Sequence, residues 1–270
     1  MPLSALSAIS FASDRQQESF EERAAFAKVR RAENDYGRRL RQVAKHIEDL
    51  VRAFASPGVE MDLAHLEQLL HRYSALIEPW ARAVATRFIA EVARRDEQAW
   101  FRLSKKMSRE LAREIQTAPT GFAMRQYLEE QVHLITSLPT QAAERVHEIA
   151  IGNLYAGERY GSLIEHIMET GRVTRNRATM IARTETARVS SSLTQARAQH
   201  IGSPGYIWRT VRDGRVRKSH REMEGKFVRW DQPPEVDAGV PPYHAGMIWN
   251  CRCFSEVIVP DRFLASKMPA

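Results

Sequence analysis

Two stripes of apolar side chains, stepping alternately by three and four residues, constrain this chain more than any other feature. Tyr36, Leu40, Val43, Ile47, Leu50 and Phe54 are separated by 4, 3, 4, 3 and 4 positions. Leu63, Leu66, Leu70, Tyr73, Ile77, Trp80 and Val84 follow at 3, 4, 3, 4, 3 and 4. Such steps keep every member on one face of an α-helix and scatter them over both faces of a strand. Ser56-Pro57-Gly58 lies between the stripes and predicts a helix stop, because Pro has no N–H and Gly tolerates turn geometry. Asp62 is placed to cap the second helix. Pro79, inside the second stripe, predicts a kink near Glu78 or two helices meeting there. The matched heptad spacing predicts a helical hairpin or bundle, with the stripes serving as core or as an oligomer seam.

The helical pattern continues to about Gln116 and breaks over 117–121. Helices are then predicted over 121–136, 140–156 and near 160–169, with Gly157, Gly161 and Gly171 as stops. A last helix is predicted over about 174–200, capped by Thr174 and ended by Gly202 in a left-handed conformation. After Gly202 the texture changes. Residues 206–211 alternate and read as a strand, Asp213-Gly214 as a turn, and 226–230 and 254–259 as short strands. A Pro/Gly-rich loop, DQPPEVDAGVPPYHAG, lies between the last two. The expected fold class is α+β and predominantly α-helical. It comprises a long-helix region over 1–170, a small α+β module over 171–260 with short strands and a CxC motif, and a tail at 261–270.

Charge divides the chain in the same place. Residues 1–170 carry 23 basic and 24 acidic side chains, whereas 171–270 carry 17 and 9. Between Arg172 and Arg229 the count is 14 against 4. Such asymmetry points to a polyanion or an acidic protein surface, or to no more than a solvated basic face. Arg209, Arg212, Arg215, Arg217, Lys218 and Arg221 are the candidate nucleic-acid contacts. No recognition helix or dimer zipper with base-reading side chains is evident, which disfavours a sequence-specific regulator. Two Cys exclude a disulfide scaffold. No apolar run approaches the ~20 residues of a membrane span, and the opening MPLSALSAISFASD lacks a basic signal n-region. A soluble intracellular protein without a membrane partner is expected.

Both cysteines stand in Asn250-Cys251-Arg252-Cys253. On a strand, residues i and i+2 share a face, so the pair can chelate one soft metal ion, while a disulfide between them is geometrically awkward. A structural zinc takes four ligands, and Asp213, His220 and His244 are the candidates for the remainder. A small loop-rich module gains from such a staple. Two other readings stay open. Free Cys is often a small buried hydrophobe. A Cys beside His220 or His244, with Arg252 adjacent, is also a candidate nucleophile. A metal-dependent nuclease or other DNA-processing enzyme would draw on Asp213, His220 and Glu185 with the basic run 209–221. No Walker A, GxGxxG, GxSxG or HExxH pattern is present. No catalytic residue is assigned and a non-enzymatic role is expected.

At these residues the sequence resembles the C-terminal domain of the Mu F-like phage head morphogenesis proteins, the minor head proteins. The resemblance runs from about Ile164 to Val259. It is carried by Ile181-Ala182-Arg183-Thr184-Glu185-Thr186-Ala187, Trp208, Asp213-Gly214-Arg215-Val216-Arg217, His220 and Gly225 in HREMEGK, and Ala245-Gly246-Met247-Ile248-Trp249-Asn250-Cys251-Arg252-Cys253. Within these, Arg183, Thr184, Glu185, Gly225, Gly246, Asn250 and Arg252 are the motif residues outside the donor set. The resemblance implies a minor head protein acting in procapsid assembly, associated with the portal protein, a major capsid or scaffolding protein, and DNA without sequence preference. It implies a place in the virion, at the head interior or portal vertex, after assembly in the host cytoplasm. It also extends a metal role, with zinc the expected ion, to Asp213, His220, Cys251 and Cys253. His244 is a poorer ligand than His220 on this ground.

Overall fold

The computed structural model describes residues 30–55, 62–106, 109–156 and 160–263. The predicted stops at Ser56-Pro57-Gly58 and Gly157, and residues 264–270 of the predicted tail, lie outside them. Seven α-helices and one three-stranded sheet make up the described residues. In chain order they are α1 (Arg30–Phe54), α2 (Leu63–Leu76), α3 (Glu78–Lys106), α4 (Arg109–Thr117), α5 (Thr120–Ala156), α6 (Tyr160–His200), β1 (Gly205–Thr210), α7 (Lys218–Glu222), β2 (Phe227–Arg229) and β3 (Cys253–Val257). A 3-10 turn, Asp261–Phe263, follows. The chain is predominantly α-helical with a small α+β module near its C-terminal end, as the pattern predicts. Among the described residues no helix is long and apolar enough to cross a membrane.

The chain forms two compact units. The helical unit contains Arg31–Val92 with Gly121–Val189, and the mixed unit contains Ala93–Thr120 with the chain from Ser190 onward. Helices α3 and α6 each contribute residues to both. The sequence-based division at 170/171 therefore falls within α6, because charge and texture record surface composition and not which helices share a core.

In the helical unit most positions of the predicted stripes are core. Tyr36, Leu40, Val43 and Ile47 of α1 are buried, as are Leu66 and Leu70 of α2 and Ile77 and Val84 beyond it, whereas Leu50, Phe54, Leu63, Tyr73 and Trp80 are half-buried and Val51 takes the buried place near the end of α1. Asp62 caps α2, its carboxylate accepting the His65 N–H at 2.9 Å. The Pro79 alternatives resolve as two helices. α2 ends at Leu76, and Pro79 sits in the first turn of α3, where its missing N–H costs nothing.

Three expected breaks are absent. Helix α5 runs through Pro139, so 121–136 and 140–156 are one helix. Ile135, Leu138, Ala142, Ala143 and Val146 are all buried, and burial of that face outweighs the backbone penalty of the ring. Hydroxyls of Thr136, Ser137 and Thr140 donate back to the carbonyls of Val132, Leu134 and Thr136 around it. Helix α6 likewise runs through Gly161 and Gly171, and Thr174 donates to the Thr170 carbonyl at 2.8 Å instead of capping. Gly171 is a packing residue. A Cβ there would meet Glu48 side-chain carbons at 2.9 and 3.0 Å, so the glycine lets α1 approach. Gly202 does end α6 as predicted, at φ +74°. The Ser203 N–H reaches the Ala198 carbonyl and the Gly202 N–H that of Gln199, which is the Schellman pattern.

The mixed unit is built on a sheet of order β2-β1-β3, antiparallel throughout. The three strands lie where the alternation places them, shifted by one or two residues at their ends. The five-residue helix α7 was not read from the sequence. It has no side-chain cap and is too short for a periodic stripe. Tyr206, Trp208, Trp230, Ala245 and Phe263 pack with Trp100, Leu111, Ile115, Ala198 and Ile201 in one core cluster. Beside it lies a buried ion pair. Arg197 Nε donates to Asp96 Oδ2 at 2.8 Å, Thr194 Oγ1 to Asp96 Oδ1 at 2.7 Å, and Arg197 Nη1 to the Ile115 carbonyl at 2.8 Å. Three helices, α3, α4 and α6, are tied by it.

Burial pushes the Asp96 carboxyl up to about 6, against the opposing pull of Thr194 and Arg197. Removing either partner leaves a charge buried and unpaired, so Asp96→Ala and Arg197→Ala are each expected to cost about 3–5 kcal/mol in urea unfolding. The Asp96→Leu/Arg197→Met double variant is expected to cost less than either. Because the folded carboxyl binds its proton above the unfolded value of about 3.9, the folded state is favoured at low pH. This contribution is lost as pH rises from about 4 to about 6, a fall of up to about 3 kcal/mol present in wild type and missing from Asp96→Asn.

Candidate functional site

The mixed unit gathers five polar side chains around one imidazole. Strand β3 pairs with β1 in a register that sets Cys253 opposite Thr210 and Ser255 opposite Trp208. Cys253 and Ser255 are buried on one face of the strand, and Cys251 is buried in the turn that precedes it. Helix α7 carries His220 onto the sulfurs. His220 Nδ1 lies 3.3 Å from Cys253 Sγ and 3.6 Å from Cys251 Sγ. The other ring nitrogen, Nε2, faces the Tyr243 hydroxyl at 3.0 Å and Asp237 Oδ2 at 3.3 Å. Tyr243 also donates to Asp237 Oδ2 at 2.7 Å, and Ser219 to Asp237 Oδ1 at 2.6 Å. The Trp208 ring meets the imidazole edge to face, centroids 5.9 Å apart at 88°.

The charges on these groups follow from their neighbours. The hydrogen bond from Cys253 pulls the Cys251 thiol down most, burial opposes it, and His220 adds to the fall, so that Cys251 lies at about 5. Cys253 is held well up by being the donor in that bond, by burial and by the Cys251 charge. Burial works against the His220 imidazolium, but Cys251 and Asp237 overcome it and the ring is raised above its ordinary value. Asp237 is lowered: burial opposes its charge, and the hydrogen bonds from Ser219, Tyr243 and His220 outweigh that. A proton placed on Nε2 and held by Asp237 leaves Nδ1 as a lone pair aimed at the two sulfurs. That is the arrangement by which a carboxylate orients a metal-ligating histidine.

His220, Cys251 and Cys253 form a donor group whose ligand atoms all lie within 4.8 Å of one another. Two thiolates and an imidazole are the donor chemistry of zinc. A further observation fits. The buried Trp208 indole N–H faces Cys253 and acts on it in the direction that favours the thiolate. Both sulfurs and the imidazole are buried, which suits a structural centre and leaves a nucleophilic thiolate no exposed face.

The other sequence candidates fall elsewhere. Asp213 is not in the donor group. Its carboxylate pairs with Arg252 and accepts the Arg215 N–H at 3.0 Å, closing the turn after β1. The carboxylate beside His220 is Asp237, which lies in the Pro/Gly-rich loop and which the sequence reading passed over along with Tyr243 and Ser219. No spacing marks it, because the loop folds back by a path no period describes. His244 also stands apart, with Nδ1 at 3.2 Å from the Tyr206 hydroxyl and Nε2 at 3.2 Å from the Trp230 carbonyl. Glu185 is buried in the helical unit. It accepts from Gln131 at 2.8 Å and Arg188 at 2.9 Å, and Tyr36 donates to Gln131 at 2.9 Å. Glu185 thus belongs to the helical unit, and Asp213 and His220 to the mixed unit.

Arg183 pairs with Glu33 at 3.6 Å, and Thr184 is buried. Gly225 and Asn250 adopt positive φ, +82° and +53°. Gly246 does so at +85°, and a Cβ there would stand 2.1 Å from Ser191 Oγ. These motif residues hold turns and helix contacts in place. Of the basic candidates, Arg209 is turned inward to Glu224 and Glu256, and Arg212 pairs with Glu224 at 3.0 Å. Arg215, Arg217, Lys218 and Arg221 are exposed.

The buried donor group and the small sheet that carries it lie at the centre of the mixed unit. Residues 144–256 match the family described as Phage Mu protein F like protein. An uncharacterized protein of Haemophilus influenzae is 32% identical over 123 residues, covering 45% of this chain and 26% of the relative. The minor head protein GP7 of Bacillus phage SPP1 is 27% identical over 152 residues, 51% of this chain and 49% of the relative. The chain thus spans about a quarter and about half the length of these curated relatives. No solved structure matches it.

Asp237→Ala would leave His220 Nε2, Tyr243 and Ser219 without their shared acceptor. The expected cost is about 1–3 kcal/mol in denaturant unfolding. Gly246→Ala is expected to cost more than about 1 kcal/mol, since both φ and space forbid the methyl group. Tm unchanged in either variant would contradict the packing described here.

Proposed function

We propose that this protein is a non-catalytic minor head protein that acts in head morphogenesis, positioned in the virion against the portal and the capsid interior and in contact with DNA. The observation that carries this reading is the match of residues 144–256 to the Mu protein F-like family, joined by the likeness to the SPP1 minor head protein. The exposed cations of the turn and helix over 215–221 supply a surface for packaged DNA, or for acidic faces of portal, capsid or scaffolding subunits. Contact through phosphates predicts affinity that falls steeply with salt and shows little sequence preference. The test is genetic: a phage lacking this gene is expected to yield heads that are malformed, empty or non-infectious. Normal, infectious, DNA-filled heads would refute the proposal.

Within this reading Cys251, Cys253 and His220 hold one zinc ion as a staple of the mixed unit, with Asp237 and Tyr243 fixing the imidazole from behind. The fourth position is taken by water or by a group outside this donor set. Elemental analysis of untagged protein is expected to give about one zinc per chain. The Cys251→Ser/Cys253→Ser variant is expected to lose it, and a chelator to lower the Tm of wild type. Well-folded protein free of metal would reduce the cluster to an imidazolium–thiolate packing contact.

A further inference from the structure

Among the described residues of the mixed unit, Trp249 is the most exposed aromatic side chain, and the turn that carries it is held by Arg217, one of the exposed cations over 215–221. Trp249 is 63% exposed, although its neighbours Ile248 and Cys251 are buried. A tight turn explains the contrast. The Cys251 N–H bonds to the Ile248 carbonyl at 3.1 Å and Asn250 takes φ +53°, so the chain is anchored on both sides while the indole is turned outward. Arg217 secures the turn, its Nη2 donating to the Trp249 carbonyl at 2.8 Å. Arg217 occupies the N-cap position of α7 without a side-chain cap bond, and Lys218 and Arg221 follow within the helix. Among the described residues no carboxylate pairs with Arg215, Lys218 or Arg221, whereas Arg209, Arg212, Arg229 and Arg252 all have ion-pair partners. The nearest acidic residue in sequence, Glu222, is exposed on α7.

We propose that Trp249 with Arg215, Arg217, Lys218 and Arg221 forms a binding surface for single-stranded DNA, the indole stacking on one unpaired base and the cations meeting the flanking phosphates. The proposal rests on the DNA contact advanced above and specifies its form. Duplex DNA can use the cations but offers no base face to the indole. An unpaired base offers its whole π-face, and stacking of this kind is tolerant of sequence. Exposed cations without carboxylate partners, on the same segment that holds a turn carrying a solvated indole, match a strand of phosphates and bases better than a protein surface, which would have to bring its own carboxylates to each.

The test uses the full chain in fluorescence anisotropy with a labelled dT20 and with a 20-base-pair duplex. Wild type is expected to prefer dT20, with tryptophan fluorescence quenched on binding. Trp249→Ala is expected to weaken dT20 about 5- to 150-fold, the alanine-substitution range for one stacked base. It should leave the duplex affinity and the Tm unchanged, and Trp249→Phe should restore part of the loss. The Arg215→Gln/Lys218→Gln/Arg221→Gln variant is expected to flatten the salt dependence for both ligands. Equal dT20 affinity in wild type and Trp249→Ala would overturn the proposal while leaving a duplex contact standing. Failure of wild type to bind either DNA at low salt would overturn this inference and the DNA part of the proposed function together, and would assign the indole to a protein partner.

Discussion

The register between β1 and β3 governs the arrangement of the mixed unit. With Cys253 opposite Thr210 and Ser255 opposite Trp208, the buried face of β3 presents sulfur to α7. Side chains alternate along a strand, so a slip of one residue would turn Cys253 to the other face and bring Arg252 or Phe254 inward. The turn preceding the strand depends on the same register, because Cys251 must be buried while Trp249 points out. One pairing choice therefore decides both the buried donor group and the exposed indole. The Arg252 guanidinium, alternating with the two cysteines, is then free to close the Asp213 turn on the opposite side.

Three buried polar groups draw partners from elsewhere in the chain. Asp96 meets Arg197 and Thr194, Glu185 meets Gln131 and Arg188, and His220 meets Asp237 and Tyr243. An unpaired group in such a place costs far more than the net gain of the bond, so these networks act chiefly against wrong packings. This bears on how the family motif is read. Arg183, Thr184 and Glu185 lie in a helix of the helical unit and serve contacts within it. The Asp213, His220 and Cys251/Cys253 elements build the sheet module. The motif therefore draws on residues of both units.

Much of this was legible in the primary structure because the signals are local. The heptad steps of α1 and α2, the Asp62 cap, the Gly202 stop and the three alternating strands each depend on residues close in sequence. The misreadings at Pro139 and Gly171 share a cause. Both residues weaken a helix locally, and both sit where burial against other helices repays more than the backbone loses. Asp213 lies seven residues before His220 in an ordered motif, while Asp237 lies in a loop with no periodicity and carries no local signal.

The sequence by itself determined the class of fold, the concentration of positive charge near the C-terminal end, and the identity of the sulfur and imidazole donors. Periodicity, composition and residue chemistry need no partner to be read. The tertiary structure alone decided which carboxylate stands behind His220, which cations are spent on internal ion pairs and which remain in solvent, and that Glu185 is a packing group. Those outcomes depend on contacts between residues far apart in the chain, where burial and satisfaction of polar atoms outweigh any local preference.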